Sequence, residues 1–232
     1  MAETKWIPMT VTEVHQETEQ MVSLRMQPSV DHVQFDFRTG QYVKILCPGG
    51  REAYFAIASN PEEKKFIEFL VKDVEGSPAH DLSQVKPDDE LRVSTPMGKG
   101  FPLERLKGKN VLLVGMGSGL SPLRSVMKSI HRRKQDFGKV VLVYGVRRPE
   151  DVPFIDDFNL WGMKIRVEIA ASQPGKSYWS GFEGRVTELL PKLALSYEKM
   201  VACVCGSKEM EEEVAKFLES VGMPKENILF NY

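Results

Sequence analysis

A glycine-rich run, Gly115-Met116-Gly117-Ser118-Gly119-Leu120-Ser121-Pro122, follows the continuous apolar segment Asn110-Val111-Leu112-Leu113-Val114. It precedes a stretch in which Leu123, Val126, Met127 and Ile130 recur at i, i+3, i+4 and i+7, the spacing of one helix face. Residues in that order suit the cradling of phosphate. Glycines let the backbone approach an anion, and the helix behind them offers free N–H groups and the positive end of its dipole. Leu120 at the sixth position departs from the G-x-G-x-x-G fingerprint, and no Gly-Lys-Ser/Thr follows to make a Walker loop. The plainer alternative is a turn that packs a helix onto a sheet. The strand before the run, with Ser121 placed to cap the helix and Pro122 in its first turn, favours the phosphate reading.

A second candidate is Cys205-Gly206-Ser207, with Met210 beyond, at the end of another apolar run, Met200 to Cys205. The three cysteines, Cys47, Cys203 and Cys205, form neither a disulfide framework nor a CxxC pair. The four histidines, His15, His32, His80 and His131, have no ligand spacing, so no metal is expected. Cys47 and Cys203 read as core, and Cys205, by its residue type alone, as a small buried thiol.

The elements that must position these residues fall into two rhythms. From Trp6 to about Thr95 short strands alternate with turns: Met21 to Met26, Tyr42 to Cys47, Tyr54 to Ala58, Phe66 to Val71 and Glu90 to Val93. One stretch there, Ala79 to Gln84, reads as helix, and the whole as a small antiparallel barrel or sandwich. After Lys109, strands at 110–115, 139–144, 164–169 and 200–205 alternate with helices, the last helix covering 208–221 and a short strand 228–230. That alternation implies a parallel sheet with helices on both faces. A division into residues 1–105 and 106–232 is expected. Lys+Arg 31 against Asp+Glu 32 leaves a net charge of −1, which argues against nucleic acid as a partner. No apolar stretch reaches the roughly 18–20 residues of a membrane span. The start lacks the n-region and h-region of a secretory signal. The expected setting is soluble and reducing: cytoplasmic, or an organelle such as the chloroplast if a leader has been removed.

Gly117-Ser118-Gly119-Leu120-Ser121-Pro122 resembles the GTGIAP-type pyridine-nucleotide loop of the ferredoxin–NADP reductase-like flavoproteins. In the same order, Tyr144-Gly145-Val146-Arg147 resembles YGxR, and Ala171-Ser172-Gln173-Pro174 with Trp179, Gly181, Gly184 and Val186 resembles SQP…WxGxxGxV. Cys205-Gly206-Ser207…Met210 is similar to the CGPxxM loop beside the nicotinamide, and the terminal aromatic Tyr232 to the residue that ends near the flavin. The resemblance spans essentially the whole chain. It implies an N-terminal flavin-binding barrel and a C-terminal α/β nucleotide-binding domain. The flavin motif R-x-Y-S-x-x-S is eroded: aligned on Ile57-Ala58-Ser59, its Arg, Tyr and Ser become Ala53, Phe55 and Ala56. Phe55 is expected still to stack, and Arg51, two residues before Ala53 and on the same strand face, is the candidate replacement cation. Phe69-Leu70-Val71-Lys72 and Gly76-Ser77-Pro78-Ala79 resemble the FxVK…GxxS element facing the flavin pyrophosphate, with Ser77 the nearest hydroxyl. Thr95-Pro96-Met97-Gly98-Lys99-Gly100-Phe101 resembles the GPxGxGF turn of dihydroorotate dehydrogenase electron-transfer subunits, whose iron–sulfur cysteines are missing from this sequence. The eroded motif resembles a plant and algal branch of FAD/NAD(P)-binding oxidoreductases.

The resemblance implies FAD and NADH or NADPH as cofactors, hydride transfer from nucleotide to flavin beside Cys205 and Tyr232, and an unidentified electron acceptor. Gln173 stands where the NADP-type pattern has Arg, which favours NADH; Arg147, Arg148 and Lys176 keep NADPH open. A non-catalytic nucleotide-binding protein, or a redox-complex subunit with a degraded flavin site, is the alternative.

Overall fold

A computed structural model describes residues 4–30, 33–175 and 179–232. The first half forms β1 (Trp6–Thr18), β2 (Met21–Pro28), β3 (Tyr42–Leu46), β4 (Glu52–Ala56), β5 (Ile67–Lys72), α1 (Pro78–Ser83) and β6 (Glu90–Ser94). The six strands make one antiparallel sheet in the order β4-β3-β6-β1-β2-β5. An isolated bridge between Ile57 and Phe69, with the Ala58 N–H donating to the Glu68 carbonyl at 2.7 Å, closes it into a barrel. Inward side chains such as Val11, Leu24, Ile45, Phe55, Ile57 and Phe69 fill the interior.

The second half contains β7 (Asn110–Met116), α2 (Leu120–Arg132), β8 (Val140–Val146), α3 (Ile155–Gly162), β9 (Arg166–Ala171), β10 (Phe182–Glu183), α4 (Val186–Leu189), β11 (Met200–Cys205), α5 (Lys208–Ser220) and β12 (Ile228–Leu229). These strands make a parallel sheet ordered β10-β9-β8-β7-β11-β12. Each central strand buries both faces, which explains its unbroken apolar run. Leu113 and Leu142 pack with Leu123, Val126, Phe158 and Trp161 on one side; Leu112 and Val141 pack with Leu189, Val214 and Leu218 on the other.

Two expectations are corrected. The strand expected at 21–26 with one buried face is buried on both, because Met21 and Leu70 face outward from the barrel and join the core of the second domain. Ser121 does not cap α2: a 3-10 turn at Gly117–Gly119 runs straight into the helix, so Ser121 lies within its first turn, 1% exposed, and Gly119 takes the cap position. Pro122 does sit in that first turn, where its missing N–H costs nothing. α3, α4 and β10 had no sequence expectation, because two to eight residues are too few to establish a period.

The halves are joined by a buried ionic cluster. Glu68 of β5 and Arg124 of α2, 2% and 3% exposed, pair directly. Arg124 Nε donates to Asp157 of α3 at 2.6 Å, its other arm reaches the Ala58 carbonyl at 3.2 Å, and its guanidinium lies 3.6 Å from the centre of the Phe154 ring. Arg25 of β2 donates to the free side of Glu68 at 3.0 Å.

Candidate functional site

Sheet order reverses between β7 and β11: β8 and β9 extend on one side of β7, and β12 on the far side of β11. In open parallel sheets such a reversal leaves a crevice beyond the carboxyl ends of the two strands, where the connections diverge. The Gly117–Gly119 turn leaves β7 there, and Cys205-Gly206 leaves β11 beside it. A Cβ on Gly119 would overlap the Cys205 carbonyl, so glycine sets the closeness of the two strand ends. Gly117 adopts φ +54°, and a Cβ placed there would meet nothing within 4 Å, which leaves its outer face open. The Tyr144 hydroxyl of β8, on a side chain with no exposure, donates to the Gly117 carbonyl at 2.8 Å and fixes the turn from below.

The crevice beyond these ends is lined by Met116, Gly117, Arg147, Ser172, Arg185 and Met210, among others. Gly145 also contributes to the wall, and Gln173 follows Ser172, its N–H bound to the Arg147 carbonyl at 2.8 Å. Among the described residues no carboxylate pairs with Arg147 or Arg185, whereas Arg148 is taken up by Glu19, Glu150 and Asp151. Arg185 was not anticipated from the sequence; it lies in the loop entering α4, and no residue period marks it. Lys176 falls outside the described residues. Ser118 sits within the turn, and Leu120, Ser121 and Pro122 follow it into α2, all three buried.

On the opposite side of Cys205 lies the chain after β12. The Cys205 thiol approaches the Asn231 side-chain oxygen at 3.8 Å, and the Asn231 amide donates to the Gly40 carbonyl of the barrel at 3.1 Å. Burial first, and then Glu211, push the Cys205 thiol up to about 12, so it is a neutral thiol at ordinary pH. The Tyr232 ring stacks on Phe230 at 5.7 Å and 21° and is 63% exposed. Its hydroxyl donates to Glu211 at 3.2 Å.

The barrel rim departs from the expected flavin contacts. Phe55 points into the barrel core, 9% exposed, so it offers no free face. The open aromatic of β4 is its neighbour Tyr54, 63% exposed and set edge-on to Tyr42. Strand alternation decides this: Ala53, Phe55 and Ile57 face inward while Tyr54 and Ala56 face out. The side chains of Ile57, Ala58, Ser59, Leu70 and Val71 are buried as well, since they close the barrel or seal the domain junction. Arg51 reaches the turn before α1, as expected of a replacement cation, but is held there by protein acceptors: the Gly76 carbonyl at 2.7 Å and Asp81 at 2.7 Å. Ser77 caps α1 by accepting from the His80 N–H at 3.3 Å. Pro78 and Ala79 are half-buried beyond it, while Gly76 and Lys72 are exposed. The fit to a flavin therefore differs between the two ends of the rim. The open ring faces of Tyr54 and Tyr232, with Tyr42, Gly98 and Asn231 between them, suit a flat aromatic system. At the phosphate end Arg51 is the cation, already paired with Asp81, while Lys72 lines the nucleotide crevice.

A barrel joined to a parallel sheet with a glycine turn at its switch point defines a two-domain oxidoreductase of the flavin and nicotinamide class. Residues 8–101 match the oxidoreductase FAD-binding domain and residues 113–216 the oxidoreductase NAD-binding domain. The two matched domains make the chain an oxidoreductase of FAD-binding and NAD-binding type, and its fold is that of the ferredoxin–NADP reductase-like flavoproteins. Sulfhydrogenase 1 subunit gamma of Pyrococcus furiosus is 28% identical over 217 residues, 91% of this chain and 73% of that protein. The reductase component of propane 2-monooxygenase from Mycolicibacterium goodii is 28% identical over 234 residues, 95% of this chain and 66% of its own length. Among solved structures, the ferredoxin reductase in carbazole 1,9a-dioxygenase superposes with a TM-score of 0.87 at 23% identity, over 99% of this chain and 70% of that one. A ferredoxin NADP+ reductase from Neisseria gonorrhoeae with bound FAD and NADP gives 0.78 at 20% identity, over 95% and 93%.

Proposed function

We propose that this protein oxidises a nicotinamide nucleotide at the β7–β11 crevice and delivers the electrons, through FAD held at the barrel rim, to a separate redox protein. The observation that carries the reading is the Gly117–Gly119 turn at the sheet reversal, open on its outer face and continued by the N-terminus of α2. The nucleotide's pyrophosphate rests on the N–H groups of this turn. Its adenosine side lies along Ser172, Arg147 and Arg185, and its nicotinamide beside Cys205 and Gly206. Cys205, a neutral thiol, packs against the ring and takes no part as a base or nucleophile. Tyr54 and Tyr232 hold the flavin ring, and Arg51 faces its phosphates. Bound flavin supplies what no side chain can, accepting a hydride and releasing its electrons one at a time.

An acceptor of protein type is supported by the two curated relatives, one a subunit of a sulfhydrogenase and the other the reductase component of an oxygenase. Choice between NADH and NADPH rests on Arg147 and Arg185, which with Lys72 are the crevice cations without a carboxylate partner among the described residues. A 2′-phosphate would engage them directly, and tighter binding of 2′-AMP than of 5′-AMP would assign NADPH. For the whole reading, the test is the visible spectrum of purified protein. Oxidised-flavin bands bleached by anaerobic NADH or NADPH are expected. A colourless protein that FAD does not reconstitute would leave a nucleotide-binding protein without flavin turnover, the reading that the inward Phe55 and the paired Arg51 favour.

A further inference from the structure

Glu211 is a buried carboxylate that neither the nucleotide crevice nor the flavin rim accounts for. It lies in the first turn of α5, 7% exposed, in a helix whose other early acidic residue, Glu209, faces solvent. Burying a carboxylate is costly unless its lone pairs are satisfied, and both oxygens here are spent on the site. One accepts the Gly206 N–H at 3.0 Å; the other accepts the Tyr232 hydroxyl at 3.2 Å. Gly206 belongs to the strand end where the nicotinamide is placed above. Tyr232 follows Asn231, whose side chain meets the Cys205 thiol. A single side chain therefore ties the nucleotide side of Cys205-Gly206 to the aromatic on its flavin side. Burial holds the Glu211 carboxyl above its usual range, opposed by these two donors, as expected for a group whose ionised form depends on both contacts.

We propose that Glu211 is a positioning residue that latches Tyr232 beside Cys205-Gly206 and so sets how readily the aromatic gives way to the nicotinamide ring. The inference rests on the nucleotide reading of the crevice. Docking of the nicotinamide half must break the Tyr232–Glu211 hydrogen bond, while docking of the adenosine half leaves it intact. Removing the bond from either side should then favour only ligands that carry nicotinamide.

The test compares NAD+ with ADP-ribose, which lacks the nicotinamide, in calorimetric titrations of the full chain. Tyr232→Phe removes one hydroxyl from an exposed ring and leaves the fold untouched; Glu211→Ala removes the acceptor. Each is expected to tighten NAD+ about ten-fold, the worth of one charge-assisted hydrogen bond, with ADP-ribose affinity unchanged. The double variant should gain no more than either single one, because both remove the same bond. Glu211→Gln, which keeps an acceptor for the Gly206 N–H, should fall between wild type and Glu211→Ala. Equal shifts for both probes, unchanged NAD+ affinity in Tyr232→Phe, or additive effects in the double variant would overturn the latch alone. If wild-type protein binds neither probe, the nucleotide reading falls and takes the latch with it.

Discussion

At the scale of single residues the crevice depends on two glycines that act differently. Gly117 adopts a left-handed φ over open space, so Gly117→Ala adds about 1–2 kcal/mol of backbone strain without a clash. Nucleotide affinity should fall roughly ten-fold while the melting temperature moves by only a few degrees. Gly119 stands against the Cys205 carbonyl; Gly119→Val must push two strand ends apart and is expected to abolish nucleotide binding. Retained affinity in Gly119→Val would refute the phosphate turn. Cys205 gives a third outcome. With its thiol pushed up to about 12 by burial and Glu211, alkylation by iodoacetamide should stay slow and climb about ten-fold per pH unit through about pH 9 with no plateau, because only the scarce thiolate reacts. Fast labelling near pH 8 would show a thiolate and make Cys205 a reactive group after all.

At the scale of elements, each strand end is held by a neighbour. β8 supports the turn after β7 through Tyr144, whose buried hydroxyl donates to the Gly117 carbonyl. Tyr144→Phe keeps the ring packed against Phe158 and removes that one bond, worth about 1 kcal/mol. The expected result is nucleotide binding weakened about five-fold, with an unaltered circular dichroism spectrum. α1 and β4 mark how far residue spacing reaches in the flavin motif. Counting back from Ile57-Ala58-Ser59 puts Ala53 in the place of the Arg and offers Arg51 as its replacement, and Arg51 does arrive at the turn before α1. The same count puts Phe55 on the flavin, yet β4 turns it inward and presents Tyr54. The order of residues along a strand is visible in a sequence; which face becomes the inside of a barrel depends on the strands that pair with it.

The whole molecule is held in one arrangement by the Arg124 cluster between barrel and sheet. Arg124→Ala would strip buried Glu68 of its closest cation, leaving Arg25 and the more distant Lys128, and should cost about 3 kcal/mol in denaturant unfolding. The pH dependence follows from the same pair. Burial pushes the Glu68 carboxyl upward, but Arg124, Lys128 and Arg25 outweigh it and hold it below its ordinary 4.5. A depressed carboxylate contributes stability that is complete above its unfolded value and is lost as pH falls through the lower folded one. Wild-type protein should therefore lose stability steeply below about pH 4.5, and Glu68→Gln, less stable at neutral pH, should show a flatter acid limb in thermal melts.

Much of this protein was decided locally. The unbroken apolar runs of β7, β8 and β11, the glycines after β7 and the helical spacing in α2 report the backbone states of their own segments, so the two-part architecture and the glycine turn that enters α2 were readable from the chain alone. The long-range contacts were not. Glu68 and Arg124 are 56 residues apart, Asn231 meets Gly40 across 191, and Arg185 and Glu211 acquire their surroundings only when the sheet orders β9, β8, β7 and β11 side by side. Burial and hydrogen bonding of such side chains are properties of neighbours that no spacing along the sequence specifies. For that reason the glycine turn after β7 was legible in the residues themselves, while the inward Phe55, the open Tyr54 and the Glu211–Tyr232 contact were settled by the tertiary structure.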